Sequence, residues 1–148
     1  MLKAKVFHPD ILSVLARAGH LATVLISDGN YPHSTKPDPR APVVWANFMK
    51  GVIGGADALT MVASLVPVES VTVMEPERTG SYAMHDDPPI WAEYRNILKQ
   101  HAGFTGEFTG LQKPEFNMRV NDANLCLVIA TAEQAIFANI LVTIGVVR

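Results

Sequence analysis

The chain has 148 residues, 49% hydrophobic and 18% charged, with a formal net charge of −2. This composition belongs to a globular chain and excludes a disordered one. It leaves no basic footprint for nucleic acid or an anionic membrane, and the length predicts one domain, 1–148, with a real core.

Asp10 is placed to cap a helix whose apolar face is Ile11, Leu12, Val14, Leu15 and Ala18. Gly19 suits the left-handed position just past its end. Residues 21–26 read as a buried strand, and Asp28-Gly29-Asn30 then turns into a loop over 28–42 that holds Pro32, Pro37, Pro39 and Pro42. Val43-Val44-Trp45-Ala46 is a short strand. Gly51, Gly54 and Gly55 interrupt the chain before a helix over about 56–66, where Leu59, Val62, Ala63 and Val66 share a face. A strand over 68–74 ends near Pro76, and a second polar loop covers 77–89.

Residues 90–101 form an amphipathic helix with the stripe Ile90, Trp91, Tyr94, Ile97 and Leu98. Residues 104–111 alternate like a strand. Pro114 opens a helix running to about Ala123. Strands follow over 125–130 and 140–147, the last interrupted by Gly145. Helices alternating with apolar, β-branched strands predict an α/β sandwich around a mostly parallel sheet. Both long loops have the length of functional segments.

The single cysteine, Cys126, lies in the run Leu125-Cys126-Leu127-Val128-Ile129 and reads as a small buried hydrophobe. The first residues, Met1-Leu2-Lys3-Ala4-Lys5, lack the apolar stretch of a secretion signal, and no apolar run is long enough to span a bilayer. A cytoplasmic protein is expected. The high apolar fraction predicts that a second copy covers part of the surface.

Candidate chemistry is concentrated around one strand. His20 precedes it, and an imidazole gives and takes a proton near neutral pH. A histidine after a helix is also commonly structural. Asp28 follows the strand, where α/β folds place ligands, although Asp-Gly and Gly-Asn also favour a tight turn without any ligand. Asn139, before the final strand, offers an amide that donates and accepts at once, which suits a sugar hydroxyl or a turn. Phe137 is a stacking face or plain core. His8, His33, His85 and His101 form no metal signature, and Gly51-Val52-Ile53-Gly54-Gly55 lacks the ending of a phosphate loop.

Together these residues resemble the ribose pyranase / fucose mutarotase family. The likeness is sharpest in three places. His20 with Ile26-Ser27-Asp28-Gly29-Asn30-Tyr31-Pro32 is similar to the fucose mutarotase form, and His33-Ser34 continues it. Leu65-Val66-Pro67-Val68-Glu69 is like the family's Pro-hydrophobic-acid step. Thr131-Ala132-Glu133, Phe137-Ala138-Asn139 and Gly145-Val146-Val147 are similar to its Thr-Gly-Glu, Tyr-x-Asn and terminal Gly-Val.

The resemblance implies a three-layer fold and an isomerase that interconverts anomers or ring forms of a free, fucose-like monosaccharide without a cofactor. It implies that His20 transfers the proton and that Asp28 orients the imidazole or binds a sugar hydroxyl. Asn30, Phe137 and Asn139 would bind the sugar, together with Lys113 or its competitor Arg119. It also implies a pentameric ring or decamer whose sites a neighbour completes. Phe137 stands where the family usually has tyrosine, and a phenyl ring only stacks. A hydroxyl would then come from Tyr31 or Tyr82. That substitution keeps a second reading open, a non-catalytic monosaccharide-binding oligomer related to the family.

Overall fold

A computed structural model describes residues 3, 5–81 and 83–147. The described residues form four helices and six strands: α1 (Pro9–Arg17), β1 (Thr23–Ser27), β2 (Val43–Trp45), α2 (Gly55–Ala63), β3 (Val68–Met74), α3 (Pro89–Ala102), β4 (Phe108–Leu111), α4 (Lys113–Val120), β5 (Leu125–Ala130) and β6 (Ile140–Ile144). The strands make one sheet in the order β2-β5-β1-β6-β3-β4.

The sheet is mixed. β2 with β5, β5 with β1 and β3 with β4 are parallel, whereas β6 runs antiparallel to both its neighbours, β1 and β3. The reason is loop length. A parallel return needs a crossover of a dozen or more residues. Only residues 131–139 separate β5 from β6, and they hold no helix, so the chain turns back at the same end of the sheet.

Alternation along the strands divides the core between two faces. Val24 and Ile26 of β1 face one side with Leu59, Trp91, Tyr94 and Leu98, so α1, α2 and α3 share that layer. Leu25 faces the other side with Tyr31, Phe116, Val120 and Leu141, under α4 and the 28–42 loop. Phe116 is fully buried, and truncating such a ring to alanine costs about 3–5 kcal/mol. All five residues of β1 are buried, as a central strand covered on both faces requires.

Two local expectations are corrected. His8, not Asp10, precedes the first turn of α1, which Pro9 opens, and Asp10 sits within that turn, where its charge complements the helix dipole. Gly19 does not take the left-handed conformation. Ala18 ends α1 with extended backbone, and the positive φ falls on Leu21, at 69°. Pairing decides this: Leu21 N–H donates to Ile144 O at 3.0 Å, so the edge of β6 fixes the turn into β1. Gly103 does cap α3 in the left-handed region, with φ 65°. α4 ends at Val120, short of Ala123. Among the described residues no helix is long and apolar enough to cross a membrane.

Candidate active site

The carboxyl ends of β1 and β3 meet the start of β6 on one side of the sheet. Asp28, the residue after β1, is 6% exposed and bonded at every polar edge. Its backbone N–H donates to Asn139 Oδ1 at 3.0 Å, and Asn139 Nδ2 donates back to Asp28 Oδ2 at 2.7 Å. Asn30 N–H donates to Asp28 Oδ1 at 2.9 Å. The Asp-Gly-Asn turn and the carboxylate facing the cleft are therefore one structure. Burial pushes the Asp28 carboxyl above the usual carboxylate range, against the lowering pull of the hydrogen bonds from Asn30 and Asn139.

Asp28, Asn30, Tyr31, Pro32, Met74, Lys113, Ile136, Phe137 and Asn139 line a cleft of about 250 Å³. Pockets for drug-sized ligands measure roughly 300–1,000 Å³, so this cleft suits a smaller molecule. Five of the seven residues singled out from the sequence meet here: Asp28, Asn30, Lys113, Phe137 and Asn139. Arg119 does not line the cleft and lies 3.9 Å from Asp122. Tyr31 does line it, and its hydroxyl donates to Asn117 Oδ1 at 3.1 Å. Burial, then the Asp28 charge, raises the Tyr31 phenol, so it stays a donor. Tyr82 lies outside the described residues.

His20 lies at the other end of β1. Its Nε2 is 2.5 Å from Glu69 Oε2, and both side chains are nearly half exposed. The strand between His20 and Asp28 holds them on the order of 20 Å apart, at about 3.3 Å per residue. Within one copy the imidazole cannot reach the cleft.

Several residues that hold the site escaped the sequence reading. Trp91 Nε1–H donates to Phe137 O at 2.9 Å, and the Tyr94 hydroxyl donates to Ala138 O at 2.9 Å. These two donors of α3 fix the chain just before Asn139 and hold Phe137 at φ 57°, a conformation that costs a non-glycine residue about 1–3 kcal/mol. Tyr94 reaches this position because Gly55 leaves room for it: a Cβ on Gly55 would lie 2.0 Å from Tyr94 Oη. Glu133 braces the same wall. Its carboxylate accepts Gly55 N–H at 3.0 Å and Ala135 N–H at 2.8 Å, while its carbonyl accepts Gly29 N–H at 3.0 Å. The available signal was that a buried Trp or Tyr needs a partner for its polar tip.

Comparison with known proteins gives one answer. The model of the RbsD / FucU transport protein family matches residues 1–147. A fucose mutarotase from Homo sapiens is 28% identical over 143 residues, covering 93% of this chain and 88% of that protein. A D-ribose pyranase from Klebsiella pneumoniae (strain 342) is 28% identical over 149 residues, covering 99% of each. The crystal structure of the fucose mutarotase in complex with L-fucose from Streptococcus pneumoniae superposes with a TM-score of 0.80 at 25% identity, over 99% of this chain and 100% of that one. With a family match running through nearly its whole length, the chain belongs to the RbsD / FucU family.

Proposed function

We propose that the protein is a sugar mutarotase or pyranase, an isomerase that exchanges anomers or ring forms of a free sugar by general acid–base ring opening. The observation that carries this is the Asp28–Asn139 pair. A buried carboxylate and an amide, each bonded to the other, form a rigid polar wall in a cleft of monosaccharide size. Such a wall reads hydroxyl groups, since Asp28 accepts and the remaining Asn139 N–H donates. Relatives named for fucose mutarotation and for ribose pyranase activity support sugar-ring exchange. The fucose-like assignment rests on Asn30-Tyr31-Pro32.

In the reaction one group removes the proton of the anomeric hydroxyl. The bond from the anomeric carbon to the ring oxygen breaks as that oxygen gains a proton, leaving the open-chain aldehyde. Rotation and reclosure give the other form. His20 of a neighbouring copy supplies the proton transfer, which is worth about 10² to 10⁴ in rate. Asp28, Asn30 and Asn139 hold the hydroxyls, Phe137 stacks on the ring, and Lys113, which lines the cleft, takes the cationic role rather than Arg119. The separation of His20 from the cleft supports a homo-oligomer with shared sites.

Phe137 supports a second reading, a non-catalytic sugar binder. Its phenyl ring carries no hydroxyl, and the nearby phenol of Tyr31 is engaged with Asn117. Exchange NMR on L-fucose, D-ribose and other free monosaccharides separates the two. Faster exchange between anomeric signals is expected. Saturable binding without acceleration would replace the enzyme by the binder, and neither effect would remove both.

A further inference from the structure

The same edge of the sheet carries a second cleft. The order β1-β6-β3-β4 sets the end of β1, the start of β6 and the ends of β3 and β4 side by side. The Asp28 cleft lies over the first three. The second, about 350 Å³, lies over β3 and β4 and is lined by Glu75, Glu77, Gln112 and Pro114. Met74, Lys113 and Phe137 line both. The two clefts therefore adjoin along these three residues, and together they make a groove over four strands, roughly 14 Å at the usual spacing between strands.

The chemistry of the added part is specific. Met74 and Phe137 give it apolar walls of the kind that accept the C–H face of a sugar ring. Its rim is made of hydrogen-bonding groups. Glu75 is seated firmly: Arg78 Nε donates to its Oε1 at 3.3 Å, and its Oε2 occupies the space over Gly110, where a Cβ would come within 2.7 Å. Arg78 also donates to Met84 O at 3.3 Å, His85 O at 3.2 Å and Asp87 Oδ1 at 2.9 Å, so residues 84–87 are tied to the same guanidinium. Glu77 adds a second carboxylate and Gln112 an amide. Glu75 and Glu77 are balanced by Arg78 and Lys113, so the rim offers hydrogen-bonding groups without an excess of either charge and suits a neutral, hydroxylated ring.

We propose that the groove takes a neutral reducing disaccharide, with the reducing ring at Asp28 and Asn139 and the second ring between Phe137 and Glu77. This rests on the sugar-exchange reading above and names its substrate class. The bond between the rings is untouched. Only the free anomeric centre opens and recloses.

The test compares exchange NMR on lactose, maltose, melibiose and laminaribiose with D-glucose, L-fucose and D-ribose. It follows the backbone amides of Glu77 and Gln112 in the same samples. At least one disaccharide is expected to exchange at a lower KM than any monosaccharide, and to shift both amides where monosaccharides leave them in place. Glu77→Gln is expected to raise KM about three- to ten-fold more for that disaccharide than for a monosaccharide, the effect of weakening one charged hydrogen bond. Monosaccharides exchanged with no disaccharide accepted, or a disaccharide accepted without movement at Glu77 and Gln112, would overturn the proposal and leave the mutarotase standing. No sugar accelerated or bound would overturn both.

Discussion

The two ends of β1 are built on opposite plans. At its carboxyl end Asp28 is buried, bonded on both oxygens, and braced by Asn139, Glu133, Trp91 and Tyr94. At its amino end His20 pairs with Glu69, and both side chains are nearly half open to solvent. The first plan suits a group that must hold a fixed position while a ligand comes and goes. The second suits a group presented outward. Rigidity and reach are therefore divided between the two ends of a strand that is buried along its whole length.

The sharpest way to break this contrast is His20→Ala. Sugar exchange should fall by about 10² to 10⁴, while the unfolding free energy from urea titration should change by no more than about 1 kcal/mol, the range of an exposed pair. Unchanged exchange would take His20 out of the mechanism. At the braced end, stability should respond instead. Gly55→Ala places a methyl group against Tyr94 Oη and should cost about 1–3 kcal/mol by overpacking. Adding Tyr94→Phe removes the clashing oxygen, so the double variant should lose less than the two single costs combined, which a thermodynamic cycle in urea reads directly.

Asn139→Ala strips Asp28 Oδ2 and Asp28 N–H of their partners. It should destabilise by about 1–3 kcal/mol and also abolish saturable sugar binding in the NMR titration. Binding that survives would reduce the pair to a structural brace.

The smallest effects are in acid, where two aspartates act with opposite sign. Arg40 hydrogen bonds hold the Asp38 carboxyl down to about 2. Its contribution is present above the ordinary value of about 3.9 and is lost as pH falls through that window. Asp28 is raised by burial, so its contribution is complete below about 3.9 and fades as pH rises through its elevated value. Urea midpoints from pH 7 to 2 should show a shallower acid loss in Arg40→Gln than in the parent chain. Identical curves would remove the Asp38–Arg40 pair from the acid response.

The ten elements were legible from local signals: the stripe Ile90, Trp91, Tyr94 and Leu98 on a helix, the unbroken apolar run of β5, or Pro114 opening α4. The direction of β6 was not legible from periodicity, which is the same for a strand running either way. It follows from the short 131–139 connection. Gly19 misled for a related reason: Leu21 takes the left-handed turn because β6 pairs with it, and that pairing is 123 positions away in the chain, from Leu21 to Ile144. Of the residues that line the cleft, Asp28 and Asn139 were singled out because polar turn residues at strand ends stand out, and Asn30 and Lys113 through the family resemblance. Glu133, Trp91 and Tyr94 were not, because they act through backbone carbonyls and amides, which every residue carries alike.

The fixed length of β1 has one last consequence, in symmetry. A contact that brings the His20 end of one copy to the Asp28 end of another has two geometries: reciprocal across a two-fold axis, which closes at two copies and forms two sites, or head to tail. Head-to-tail contacts do not stop at two copies. Either the rotation between neighbours closes a ring, or the chain of contacts grows into a filament. Where the contact is head to tail, the rotation it imposes between neighbours sets how many copies a closed assembly contains.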